Sequence, residues 1–303
     1  MSKSLQGVIP PVATPFTKDE ELDLEALKAN LRTWNPGGIS GYLILGSNGE
    51  TVYLSEREKD QVLAAAGEAI APGKIFMAGT GCESTRETIR LTRRAAELGA
   101  DCALVLTPAY YKGQMTIDAL EAHYQKVAEA SPMPILLYNV PQFTGINLAP
   151  KLAARLSLHG NIAGIKDSSG NIGQLTEIIR LSEPGFAVFV GSAPVFYPAL
   201  CVGAVGGILA VANVVPELCV ELQRRYDRAD HQGALGLQRA INPLAALVTT
   251  GLGVGGLKLA MDQRGFRGGQ VRGPSSLPVQ ASGQVSQELD RLKPLLEQVA
   301  PGA

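Results

Sequence analysis

Short runs of β-branched and other apolar residues, each bounded by glycine or proline, recur along the chain. Each is followed by a longer stretch whose apolar residues return at helical spacing. The strand candidates are residues 7–13, 42–45, 75–78, 103–106, 135–138, 163–166, 187–190 and 207–210. The intervening spacing predicts helices over 22–34, 55–70, 84–98, 116–130, 149–156, 172–181 and 193–202, with 216–228 after the eighth strand. Ser55 with Glu58, and Ser84 with Glu87, place a hydroxyl at the cap and an acid three residues on, so both helices should open with a capping box. Gly99 follows Leu98 where a helix end needs a left-handed backbone.

Eight such repeats in about 230 residues approach the ~250 of a parallel (β/α)8 TIM barrel, whose strands read as apolar runs because both faces are buried. An open doubly wound sheet is the runner-up. It commonly has fewer strands and a glycine-rich turn after the first, where this chain instead reads Pro11-Val12-Ala13-Thr14-Pro15. Beyond Arg228 the alternation stops, and 232–250, 255–264 and 282–299 read as helices. The expected organisation is an α/β barrel over 1–230 with a C-terminal helical extension over 231–303.

Composition narrows the class. With 46% hydrophobic and 18% charged residues the 303-residue chain can bury a large core, which argues against disorder. A formal net charge of −1 leaves no basic excess for a phosphate backbone, so no nucleic-acid partner is expected. Four cysteines without a C-x-x-C pair make no disulfide framework, and a reducing cytoplasm fits them best. The longest greasy stretch, 199–215, is broken by three glycines and Asn213, and residues 1–10 lack an apolar leader, so neither export nor a membrane span is expected.

Two familiar motifs fail on context. Residues 251–256 spell G-x-G-x-x-G, but they follow a helical stretch and no acid lies about 20 residues on. His123, His159 and His231 are scattered, so a metal site or a Ser-His-Asp triad lacks its imidazoles. The strand ends are more informative, since a barrel collects its reactive groups there. They read Gly46-Ser47-Asn48-Gly49-Glu50, Gly79-Thr80-Gly81, Thr107-Pro108-Ala109-Tyr110-Tyr111, Tyr138-Asn139-Val140-Pro141, Lys166-Asp167-Ser168 and Gly191-Ser192. Lys166 ends a small apolar strand, and alternation could aim its amine into the barrel mouth. Desolvation there would lower its pKa and yield a neutral amine able to attack a ketone as a Schiff-base nucleophile. The competing reading is a lysine that snorkels to solvent. Tyr138, one strand away, is a candidate for proton transfer, against the alternative of a core tyrosine. Ser47 and Asn48 lie in a glycine-flanked turn that could form an anion nest or simply cap itself.

Taken in order, these segments, with Gly164-Ile165-Lys166-Asp167 and Ala212-Asn213, resemble the dihydrodipicolinate synthase and N-acetylneuraminate lyase family of pyruvate-dependent class I aldolases. The resemblance spans nearly the whole chain. It implies a TIM barrel with C-terminal helices, assembled as a homotetramer (a dimer of dimers), and no metal or organic cofactor. It implies Lys166 as the Schiff-base lysine, Tyr138 as the proton-transfer residue and Ser47 in a hydroxyl relay. The Ser47-Asn48 turn would hold the pyruvate carboxylate, Tyr111 would be a relay tyrosine lent between subunits, and Gly191 and Ile208 would line the substrate cavity. One departure concerns the second substrate. The lysine-pathway synthases carry an arginine two residues after Y-N-V-P, where this chain has Phe143. The Ser47-Asn48 pair and the segments 81–85, 203–207 and 256–258 are closest to the 4-hydroxy-2-oxoglutarate aldolase branch. The expected partners are therefore pyruvate and a small aldehyde or 2-oxo acid. A synthase, a sugar-acid lyase, a metal-dependent aldolase and a non-catalytic small-acid binding protein remain as alternatives.

Overall fold

Pro10 and Pro11 have no N–H to give a ladder, so the first strand stops at Ile9 although the apolar run continues to Ala13. The computed structural model describes residues 3–299. Its strands are β1 (Gly7–Ile9), β2 (Gly41–Ile44), β3 (Ile75–Gly79), β4 (Cys102–Leu106), β5 (Ile135–Asn139), β6 (Ile162–Asp167), β7 (Ala187–Val190) and β8 (Gly206–Ile208). The helices of the repeats are α1 (Leu24–Trp34), α2 (Glu56–Ala69), α3 (Thr85–Glu97), α4 (Ile117–Ala130), α5 (Pro141–Thr144), α6 (Pro150–Ser157), α7 (Ile172–Leu181), α8 (Phe196–Cys201) and α9 (Pro216–Asp227). They are followed by α10 (His231–Ala246), α11 (Gly253–Gln263) and α12 (Ser282–Val299). This is the (β/α)8 TIM barrel with a C-terminal helical extension. Among the described residues no helix is long and apolar enough to cross a membrane.

The described residues divide into two compact units, one of Ile75–Ile208 with residues 3–6, the other of Gly7–Lys74 with residues 209–299. In the first, β3 to β8 are parallel neighbours in sequence order. Leu104, Val105, Leu136, Leu137, Ile165 and Phe189 are all buried, as strands covered on both faces require. The register matters for chemistry, because Tyr138 pairs with Lys166 and Asn139 with Asp167. In the second unit the chain after β1 bridges to β2 through Pro11 and Leu43, and the Val12 N–H donates to the Leu43 carbonyl.

Helix starts follow their caps. Ser55 accepts from the Glu58 amide while the Glu58 carboxylate returns to the Ser55 N–H, a complete capping box for α2. At α3 only half of the expected box forms. Ser84 accepts from the Glu87 amide, but the Glu87 carboxylate takes the Arg90 guanidinium at 2.7 Å instead of turning back. Gly99 adopts φ 93 and the Ala100 N–H reaches back to the Ala95 carbonyl, closing α3. The stretch 193–202 splits into a 3-10 turn and the short α8, and Pro198, in the middle of the expected helix, has no N–H for the bond to residue 194 that a continuous helix would need. The helix expected over 232–250 ends as α10 at Ala246 and continues as a π-helical turn over Leu247–Gly251.

Candidate active site

Lys166 lies on β6, whose preceding residues Ile162, Gly164 and Ile165 are buried. The side chain is only 3% exposed. Its Nζ stands 4.2 Å from the centroid of the Tyr138 ring and forms no salt bridge among the described residues. A lysine that snorkelled would be exposed, so strand geometry decides that alternative. Gly191, directly after β7, makes room for the stem: a Cβ there would come within 2.9 Å of Lys166 Cε and collide with Ser168 Oγ. Its N–H donates to the Asp167 carbonyl, tying the ends of β6 and β7 together.

Tyr138 is 5% exposed on β5. Its carbonyl accepts from Thr107 Oγ1 at 3.2 Å, and that hydroxyl also meets the Tyr124 hydroxyl at 3.1 Å. The structure thus brings Lys166, Tyr138 and Gly191 together on neighbouring strands of one unit. Ile208 ends β8 in the same unit and is fully buried. Tyr111 and Phe143 also belong to that unit but are exposed. Tyr111 packs edge-on against Tyr110 with centroids 5.0 Å apart, and Phe143 stands on the four-residue α5. Glu83, to which the sequence assigned no role, anchors the tyrosine loop by accepting from the Ala109 and Tyr110 amides at 2.9 and 2.8 Å.

Ser47 and Asn48 belong to the other unit, in a 3-10 turn over Ser47–Gly49 after β2. Leu45 and Glu50, neither of them glycine, bracket the turn with φ of 60 and 53. Such backbone strain clusters at functional positions and persists only where the surroundings enforce it. Here Thr14 Oγ1 donates to the Gly49 carbonyl, and a Cβ on Gly49 would press on the Val12 carbonyl at 3.1 Å. The Gly49 and Glu50 N–H groups are spent inside the turn, donating to the Gly46 and Ser47 carbonyls.

Glu50 is the group sequence reasoning missed. Its carboxylate is 2% exposed and pairs with Lys258 of α11, itself fully buried, at 2.5 Å. Its other oxygen accepts from the Arg272 N–H at 3.1 Å. Lys258 also donates to the Gln270 carbonyl and lies 4.4 Å from the centre of the Phe16 ring.

The model of the dihydrodipicolinate synthetase family matches residues 4–292. The chain belongs to that family. A 4-hydroxy-tetrahydrodipicolinate synthase of Methanosphaerula palustris is 38% identical over 272 residues, covering 89% of this chain and 92% of the relative. A probable mitochondrial 4-hydroxy-2-oxoglutarate aldolase of Emericella nidulans is 34% identical over 277 residues, covering 90% and 89%. Among solved structures, the chloride-inhibited dihydrodipicolinate synthase of Acinetobacter baumannii complexed with pyruvate superposes with a TM-score of 0.90 at 31% identity, over 96% of this chain and 99% of that one. Family membership makes the protein a carbon–carbon lyase of the class I aldolase type.

Proposed function

We propose that this lyase uses Lys166 to form an imine with pyruvate or a pyruvate-containing 2-oxo acid, and that it cleaves a hydroxylated 2-oxo acid such as 4-hydroxy-2-oxoglutarate. The observation that carries the reading is the buried Lys166 amine, without a salt bridge, against the ring of Tyr138. The amine adds to the C2 carbonyl and the resulting carbinolamine loses water. The cationic C=N bond then accepts the electron pair of the C3–C4 bond as the C4 hydroxyl gives up its proton, releasing an aldehyde and leaving an enamine. Protonation at C3 and hydrolysis return pyruvate and the free amine, so atoms and charge balance. Tyr138 carries the proton steps and Ser47 joins it in the relay. The Ser47-Asn48 turn holds the substrate carboxylate, Gly191 and Ile208 line its cavity, and Phe143 stands near the second substrate. Tyr111, exposed on its loop, is the relay tyrosine supplied to a neighbouring subunit of a homotetramer.

The structural neighbour complexed with pyruvate supports pyruvate as the imine-bound partner. Phe143 weighs against a synthase that holds its second substrate by a guanidinium at this position. An apolar ring cannot replace a guanidinium contact to a carboxylate, which is worth roughly 1.5–3 kcal/mol. The aldehyde half of 4-hydroxy-2-oxoglutarate carries a carboxylate too, so the aldolase reading rests instead on the segments 81–85, 203–207 and 256–258 that resemble that branch. The relative named as a synthase favours the second reading, condensation of pyruvate with aspartate semialdehyde. Borohydride reduction in the presence of pyruvate should fix a mass adduct on Lys166, and a panel of 2-oxo acids should release pyruvate fastest from 4-hydroxy-2-oxoglutarate. Absence of the adduct would sink the imine. Faster condensation with aspartate semialdehyde would replace the aldolase by the synthase.

A further inference from the structure

Lys166 is followed by a carboxylate that it does not pair with, and the reason is strand alternation. Consecutive residues face opposite sides of a sheet, so Lys166 and Tyr138 share one face of β6 and β5 while Asp167 and Asn139 share the other. Asp167 is 1% exposed and Asn139 fully buried. Asp167 Oδ2 accepts from Asn139 Nδ2 at 3.0 Å and from Gln174 Nε2 at 2.7 Å, while Oδ1 accepts from the Ser169 N–H at 2.8 Å and from the Ser169 hydroxyl. Four donors, none of them cationic, therefore converge on a group that only accepts. Asn139 is equally committed. Its Oδ1 accepts from the Leu148 N–H at 2.9 Å and its Nδ2 also reaches Asn147 Oδ1 at 2.9 Å. Asn147 and Gln174 close the circuit, with Asn147 Nδ2 donating to Gln174 Oε1 at 2.7 Å.

We infer that Asp167 and Asn139 are positioning residues that set the separation of Lys166 and Tyr138 from the opposite face of the strand pair. The inference rests on the imine reading above. Each residue of the buried cross-strand pair is the chain neighbour of one residue of the reacting pair, so a shift of one strand end against the other breaks this bond before it moves the amine from the phenol. A misplacement of about 1 Å between reacting groups can cost 10²-fold.

Asp167→Asn sets an amide against groups that were all donors. The expected result is a fall in kcat of about 10- to 100-fold with KM changed less than about threefold, in protein that remains folded by circular dichroism. Imine formation, followed by borohydride trapping with pyruvate, should slow much less than turnover, because it needs the amine but not its alignment with the phenol. The exchange Asp167→Asn with Asn139→Asp restores one acceptor-only group to the pair. The side-chain amides of Asn147 and Gln174 can then flip to satisfy it, and kcat should recover to within about fivefold. Gln174→Leu, a change on the half-buried face of α7, removes one donor and should lower kcat about fivefold even if Asp167→Asn fails to fold. Wild-type kcat in folded Asp167→Asn or in Gln174→Leu, or an exchange variant no better than the single one, would overturn the inference. A wild-type protein that traps no pyruvate at all would overturn the imine reading instead.

Discussion

Among the described residues two lysines are buried, and their environments are opposite. Lys258 is fully buried against Glu50, donates to the Gln270 carbonyl and rests on the Phe16 ring. Lys166 is 3% exposed and likewise rests on an aromatic ring, that of Tyr138, but forms no salt bridge among the described residues. Burial pushes the Lys258 ammonium below the ordinary lysine range and Glu50 pulls it back, with burial the larger effect. The difference matches the tasks proposed for them. A paired ammonium has its donors committed and serves as a structural pin, here on the strained turn that carries Ser47 and Asn48. An amine without a salt bridge is free to act as the nucleophile proposed above, and on that reading its burial serves chemistry rather than stability.

The sharpest way to break the comparison is to exchange each lysine for methionine. Lys166→Met should lower turnover by about 10⁴-fold or more and abolish the borohydride adduct, because no other group replaces the covalent nucleophile. Its urea midpoint should stay the same or rise, since an unpaired polar group gives way to an apolar one of similar length. Tyr138→Phe should be milder in rate, about 10²- to 10⁴-fold, and should retain the adduct, because the phenol moves protons after the amine has attacked. Equal turnover in Tyr138→Phe would reduce that residue to packing.

Lys258→Met should show the reverse pattern. It strands a buried carboxylate and should cost about 3–5 kcal/mol, read as a large drop in urea midpoint. Lys258→Met with Glu50→Gln should recover part of that loss, because no uncompensated charge then remains buried. If the single Lys258 variant were as stable as the parent, the salt bridge would not be the pin described above.

The lysine proposed to react was more legible in the sequence than the structural one, for a physical reason. Strand ends are local features, and Lys166 and Tyr138 close apolar runs of five or six residues whose alternation is readable directly. Boundaries were legible where the signal was equally local: α7 and α12 occupy 172–181 and 282–299, as the spacing predicts. Lys258 and Glu50 instead meet across about 200 residues of chain, and a charged residue on a helix or in a turn ordinarily implies solvent. Only the apolar residues around Lys258, Leu257 and Ala260 with Met261, hinted at its burial. Asp167 was within reach, since a residue next to an inward lysine must face outward, but its four donors come from three separate segments. The half-formed box at Ser84 failed for a different reason. Its acid had a nearer cation in Arg90, one helical turn on, and a sequence pattern does not rank competing partners.

His123 tests the same principle with a smaller effect. It is a third buried base, 6% exposed on α4, with Nδ1 2.9 Å from the Thr85 hydroxyl and its ring edge-on to Tyr124. Among the described residues it has no counter-ion, as Lys258 has, and no reaction is proposed for it. Burial holds it neutral by moving its pKa from 6.5 down to about 4. As pH falls from about 6.5 towards 4 the unfolded chain takes up a proton that the folded chain refuses. Stability is therefore lost over that window, by up to about 3 kcal/mol once pH drops below 4. Glu58, held near 2 by Arg272, begins to lose its own contribution only below about 4.5, and Asp262, raised by burial, works in the opposite sense, so the imidazole is read from the difference between parent and variant over 6.5 to 4.5. His123→Gln keeps a polar partner for Thr85 and cannot titrate. It should cost about 1 kcal/mol at pH 7 through poorer packing, yet lose less stability than the parent between pH 6.5 and 4.5 when urea midpoints are compared. Parallel pH dependences in the two proteins would show that His123 takes its proton without opening the fold, and the contrast between paired and unpaired buried bases would then rest on the lysines alone.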